Sequence, residues 1–145
     1  MYSLGYLGLI PFIVGVVSYA TKLNIWGTGG DQLFVNYSIV IFTFLAGTLW
    51  GNGIYQALGV RARFALIMSN VFALVSWSML FLIDSHNTFI IIVLAIGYLA
   101  IWFIERSNRY RSAKHLDEYD VMRFRLTVTV VFMHFIMLCF LLQTT

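Results

Sequence analysis

The chain has 145 residues, of which 61% are hydrophobic and only 10% charged, with a mean hydropathy of +0.87. A water-soluble domain of this length has too little interior to hide so much apolar surface, so the composition excludes an ordinary globular fold and points to a membrane protein. The formal charge of +3 and the pI near 9.2 suit anionic lipid headgroups rather than nucleic acid, because the basic residues cluster between apolar segments.

The first apolar segment covers residues 4–20, entered almost at once from Met1, Tyr2 and Ser3. Neither a basic region nor a small-residue cleavage site precedes it, so it is expected to persist as a helix and not as a cleaved signal peptide. Gly8 and Gly15 lie seven apart, and Pro11 between them removes a backbone donor, which predicts a kink. Residues 21–32, with Gly27, Thr28, Gly29, Gly30 and Asp31, read as a turn. The second segment, 33–58, carries Gly47 and Gly51 four apart with Thr43 one turn earlier. This small-residue face is expected to pack closely on another helix of the bundle, with a homodimer contact as the alternative. A third segment, 64–83, has a small-residue stripe of its own in Ser69, Ala73 and Ser76. The fourth covers 89–104 and the fifth 121–142.

Each segment approaches or exceeds the roughly 20 residues that a helix needs to cross about 30 Å of hydrocarbon. The expected fold is therefore all-α: a single polytopic domain, residues 1–145, of five transmembrane helices. The polar stretch 105–120 is expected to be a short interfacial helix or a hairpin. No internal repeat supports an inverted-repeat transporter. If the spans alternate, Arg61, Arg63, Arg106, Arg109, Arg111, Lys114, Arg123 and Arg125 share one side and only Lys22 the other. The positive-inside rule then puts the N-terminus inside and the C-terminus outside. Tyr2, Tyr6, Tyr19, Trp26, Phe34, Tyr37, Tyr55, Tyr110 and Tyr119 fall near the expected boundaries and read as an interfacial aromatic belt. Trp50, Trp77 and Trp102 lie deeper or near helix ends.

Signals for catalysis are sparse. Cys139 is the sole cysteine, which excludes an intramolecular disulfide, a Cys-x-x-Cys pair and a cysteine zinc site. Phosphate-loop, zinc-protease and nucleophile-elbow motifs are absent from the sequence. His115 beside Asp117, Glu118 and Asp120 reads as a solvated charge run, and His86 near Asp84 as part of an exposed turn. A bis-histidine haem is disfavoured because His86 and His115 belong to opposite faces. No cofactor or metal is expected. His134 stands apart, since an ionisable group near mid-span faces the bundle interior. Arg123, Thr127 and His134 fall within roughly 40° of one another on the last helix, a polar stripe about 16 Å long. It either lines a proton or ligand path, or consists of structural groups, with a neutral imidazole bonded to Asn70, Ser76 or Thr43. At the membrane boundary Arg123 is within reach of Glu105 at the end of the fourth segment.

The run from Tyr37 to Gly51, with Phe44, Leu45, Ala46, Gly47, Trp50 and Gly51 in place, resembles the signature of the domain of unknown function 3429 family, which includes transmembrane protein 69-like sequences. The opening from Gly8 through Leu9, Ile10 and Pro11 to Phe12 is similar to that family's start. Tyr119, Met122, Arg123, Leu126 and Thr127 resemble its final element, and Glu105 stands where an aspartate is usual. The sequence departs from the pattern at Ala46, in place of a glycine, and at Glu118, in place of an aromatic residue. The resemblance implies the polytopic membrane architecture and singles out Trp50, Gly51, Glu105, Arg123 and Thr127. It implies no activity.

The expected function is non-enzymatic: an accessory, structural or assembly subunit of a membrane complex, in a bacterial or mitochondrial inner membrane. Its expected partners are lipids and other membrane proteins or further copies of itself. The alternative is binding or transport of a proton, quinone or lipid along the stripe on the last helix.

Overall fold

The computed structural model describes residues 2–55, 59–83, 85–108 and 116–144. Among the described residues six helices follow in order: α1 (Tyr2–Leu7), α2 (Ile10–Thr21), α3 (Gly30–Tyr55), α4 (Val60–Met79), α5 (Asn87–Asn108) and α6 (Leu116–Thr144). Among them α3, α4, α5 and α6 are long and apolar enough to cross a membrane. The chain is an integral membrane protein with an all-helical bundle as its scaffold.

The first apolar segment is not one continuous span. It breaks after Leu7, and α2 begins with Pro11 in its first turn, because proline lacks the amide that would bond back to residue 7. The 12 residues of α2 alone cover about 18 Å. The two pieces together nevertheless follow α6 along its length. A Cβ added at Gly5 would touch Leu126 and Met122, and the Tyr19 ring lies 6.2 Å from that of Phe140. Leu126 and Phe140 are about 21 Å apart along a helix.

Other boundaries shift as well, most starts outward, while α4 stops short of the expected residue 83. Helix α4 begins at Val60 and takes in Arg61 and Arg63, whose stems can lie along apolar surface while the charged heads reach water. It ends at Met79, where Leu80, Phe81 and Leu82 turn through i to i+3 hydrogen bonds. The expected interfacial element at 105–120 is instead, on its described flanks, a continuation of α5 to Asn108 and of α6 back to Leu116. Glu105, Arg106, Glu118 and Asp120 are compatible with helix, and a helix needs no apolar side chain once it leaves the hydrocarbon. Arg109, Tyr110, Arg111, Lys114 and His115 lie outside the described residues, as does Asp84.

At the opposite end the chain reverses through a two-residue hairpin. Ile25 and Thr28 exchange both backbone hydrogen bonds, with Trp26 at φ 54° and Gly27 at φ 75°. Positive φ at both central residues is the geometry of a type I′ turn, and it leaves Trp26 94% exposed, where an indole suits the headgroup layer.

Helix α3 lies at the centre, packed on α2, α4 and α5, and α6 closes the ring between α5 and α2. The main core joins Phe12 of α2, Phe34, Val35, Ile39, Phe42 and Ala46 of α3, Ile90, Ile91, Leu94, Tyr98 and Ile101 of α5, and Val130 and Met137 of α6. Phe34 is wholly buried and is no part of an interfacial belt. Tyr37 also turns inward, its hydroxyl donating to the Gly8 carbonyl at 2.9 Å beside the break in the first segment.

The glycine contacts correct the expected packing face. A Cβ at Gly47 or Gly51 would meet nothing within 4 Å, and Thr43 and Trp50 share this outward side of α3. Close approaches occur elsewhere. At Gly15 a Cβ would lie 3.1 Å from the Phe34 backbone, and at Gly30 it would collide with the backbone of Tyr19. At Gly97 it would lie 2.6 Å from the Phe42 ring. Sequence spacing identifies glycines that share a face but not which face meets a neighbour, and α3 uses its Phe34–Ser38–Phe42–Ala46–Leu49 side for that.

Candidate functional site

The buried polar groups packed against α6 form two clusters along one of its faces. The first lies at the α5–α6 end. Glu105, in the last turns of α5, and Arg123, two turns into α6, are 6% and 9% exposed and meet with Arg123 Nε donating to Glu105 Oε2 at 2.9 Å. The Tyr119 hydroxyl stands 3.5 Å from Glu105 Oε1. Beside this pair, Arg106 lies over the Trp102 ring at 5.4 Å, and Trp102 packs against Phe124, so stacked side chains reinforce the α5–α6 contact.

The second cluster sits at mid-bundle. His134 is 1% exposed and ringed by Phe12, Phe34 and Tyr98, with ring centroids 4.9 to 5.9 Å away. Its Nδ1 lies 2.8 Å from the Val130 carbonyl and its Nε2 2.7 Å from Ser38 Oγ. A carbonyl can only accept, so Nδ1 carries the hydrogen; in the neutral ring Nε2 then accepts from the Ser38 hydroxyl. Tyr98 completes the cluster by donating to the Ser38 carbonyl at 2.8 Å. Hydrogen-bond partners for a buried imidazole in hydrocarbon are thus supplied by α3 and by its own helix.

Arg123, Thr127 and His134 are all buried on the single face that their spacing places them on, but their side chains do not hydrogen-bond to one another. Thr127 Oγ1 donates to the Arg123 carbonyl, Arg123 turns to α5 and His134 to α3. The partner of His134 is Ser38 and not Asn70, Ser76 or Thr43, each of which donates to a carbonyl of its own helix. Ser38 and Tyr98 were not singled out from the sequence. Tyr98 carries a readable signal, since it lies midway along α5, too deep for an interfacial belt. Ser38 carries none beyond its polarity.

Between the clusters lies a cavity of about 260 Å³, walled by α1, α2, α3, α5 and α6. Its apolar lining includes Leu9, Phe12, Phe44, Leu45, Leu126 and Val130, and its polar lining is Tyr119, Arg123, Thr127, Tyr98 and Thr48. From Tyr119 to Val130 it follows α6 for about 16 Å, from the polar end of the bundle to the Val130 level. Ser38 and His134 do not line it. A separate crevice of about 10 Å³ among Trp102, Glu105, Arg106, Asp120 and Arg123 has room for about one water. Among the described residues no group of three or more His, Cys, Asp or Glu side chains could hold a metal ion.

The family described as protein of unknown function (DUF3429) matches residues 1–139. No curated protein and no solved structure matches the chain.

Proposed function

The chain belongs to the DUF3429 family of unknown function, and from its intramembrane cavity we propose that it is a non-catalytic membrane protein that holds the head of a membrane amphiphile. The observation that carries this reading is the asymmetry of the lining: its one charged side chain, buried Arg123, stands with Tyr119 toward one end of the α6 wall, and Phe12 and Val130 lie toward the other, where the Tyr98 hydroxyl already donates to the Ser38 carbonyl. At about 260 Å³ the space falls just below the roughly 300 Å³ at which pockets that enclose a whole drug-sized ligand begin. It suits a head and the first part of a chain, with the remainder in the bilayer. Ser38 and His134 have the spacing of a nucleophile and base, but at 0% and 1% exposure, away from the cavity, they support a structural role.

Native mass spectrometry after extraction in mild detergent tests this. The wild-type protein is expected to retain one bound amphiphile. Gly5→Leu, whose side chain enters the cavity wall against Leu126 and Met122, is expected to lose it, and Gly47→Leu, directed into open space, to keep it. Equal retention by all three proteins would refute the reading.

A second reading, a structural or assembly subunit of a larger inner-membrane complex, is favoured by the outward side of the bundle. A Cβ added at Gly47 or Gly51 would meet nothing within 4 Å among the described residues. Asn70 is exposed midway along α4, and its one hydrogen bond among the described residues is to the Leu66 carbonyl of its own helix. Small and amide residues of this kind join helices in bilayers.

In either case we propose that α1 and α2 cross the membrane as one broken unit, with the N-terminus inside and the C-terminus outside. The basic asymmetry supports this, since Arg61, Arg63, Arg106, Arg123 and Arg125 sit at one end of the bundle and Lys22 at the other. Cysteine labelling after Arg63, after His86 and at Thr145 is expected to report inside, outside and outside. A C-terminus found inside would require an even number of crossings and would exclude this topology.

A further inference from the structure

Hydrogen-bond bookkeeping around the cavity narrows the kind of head that it can take. Four hydroxyl groups line it, and each already points its hydrogen into the protein. Thr48 donates to the Leu45 carbonyl at 2.8 Å, Thr127 to the Arg123 carbonyl at 2.9 Å and Tyr98 to the Ser38 carbonyl at 2.8 Å. Tyr119 faces Glu105 Oε1. Arg123 differs. Its side chain is 10% exposed, and among the described residues only its Nε is engaged, by Glu105. None of its buried nitrogens lacks a partner, so the two unpaired Nη nitrogens border open space. Of the two spaces that Arg123 lines, the crevice of about 10 Å³ is too small for anything but water, whereas the cavity holds about 260 Å³.

We propose that the cavity selects amphiphiles whose head is a hydrogen-bond-accepting oxygen group, a carbonyl, carboxylate or phosphate, gripped by the two Nη nitrogens of Arg123. This rests on the cavity being a binding site, as proposed above, and adds the chemistry of the ligand. A guanidinium offers parallel N–H donors that match two oxygens or two lone pairs of one oxygen. Glu105 serves as the positioning residue: by holding Nε it turns the remaining fork away from α5. A head that only donates, such as an ammonium, would face the guanidinium with like charge, and the hydroxyl oxygens of the lining would offer it only neutral acceptors. The tail leaves along the apolar side chains of Leu9, Phe44 and Leu126.

The test is photolabelling in maltoside micelles with four probes that share one diazirine-bearing alkyl chain and carry a phosphodiester, a carboxylate, a methyl ketone or an ammonium head. Labelling is read on the peptide that contains Met122 and Leu126. Each acceptor-headed probe that enters is expected to exceed the ammonium probe about tenfold, the factor of one charge-assisted hydrogen bond. The strongest of the three separates a phospholipid source from a fatty acid or a neutral carbonyl lipid. Arg123→Lys keeps a cation beside Glu105 but loses the fork, and is expected to lose about the same factor for the acceptor heads. If Gly5→Leu lowers labelling by every probe while the wild-type protein takes ammonium and acceptor heads equally, the cavity binds amphiphiles without head selection and this inference falls alone. If Gly5→Leu leaves labelling at the level of Gly47→Leu, the cavity is no binding site and both readings fall. The head comparison on the wild-type protein decides the matter even where Arg123→Lys fails to fold.

Discussion

Arg123→Ala is expected to destabilise the bundle by about 3–5 kcal/mol, the usual cost of removing one partner from a buried ion pair. The partner left behind is Glu105, 6% exposed, its carboxylate turned toward α6 with the arginine gone. Glu105→Ala strands the guanidinium in the same way, although a long arginine stem can swing its head toward the headgroups and recover part of the loss. Exchanging the charges, Glu105→Arg with Arg123→Glu, is expected to restore part of the stability lost in either single reversal. Thermal unfolding in detergent, arranged as a double-mutant cycle, should then give a favourable coupling energy. Additive losses would mean that the two side chains contribute independently and that the clamp between α5 and α6 is not one.

That pair also shows how far the sequence could be read. Glu105 and Arg123 stand out because charges near hydrocarbon are costly and each needs a partner at matching depth, and helices of known length restrict the choice to a few residues. His134 is legible for the same reason, down to its inward orientation. Its partner is not. Every helix carries serine, threonine or asparagine side chains, and the choice of Ser38 depends on the rotation of α3 about its axis, which hydropathy leaves undetermined when both faces are apolar. The misplaced glycine face has the same origin. Helix α3 touches α2, α4 and α5, so its apolar residues run all round and carry no period that would mark the inner side. The cavity is harder still to foresee, since it arises where the break between α1 and α2 leaves space against α6, and a break in sequence says nothing of the volume beside it.

The glycine prediction turns on sign as well as size. Gly97→Ala is expected to destabilise the protein by about 1–3 kcal/mol, the range for overpacking a tight interior, even though alanine is the better helix former by up to about 1 kcal/mol. The added methyl would stand 2.6 Å from two atoms of the Phe42 ring, and that ring has nowhere to go. It is 1% exposed and pinned edge-on between Phe72 at 5.5 Å and Tyr98 at 5.6 Å. Relief requires α3 and α5 to move apart, and Tyr98, one residue along, would be drawn from the Ser38 carbonyl that it bonds at 2.8 Å. Gly47→Ala and Gly51→Ala meet no atom within 4 Å, so the gain in helix propensity is unopposed and their melting temperatures should equal or exceed that of the wild type. Thermal unfolding of the three purified variants in the same detergent separates the cases. Destabilisation by Gly47→Ala in the isolated chain, with Gly97→Ala tolerated, would place the close helix contact on the outward face of α3 and would refute the packing described for α3 and α5. A loss confined to Gly47→Ala or Gly51→Ala in native membranes, absent from the purified chain, would instead locate a partner helix on that face.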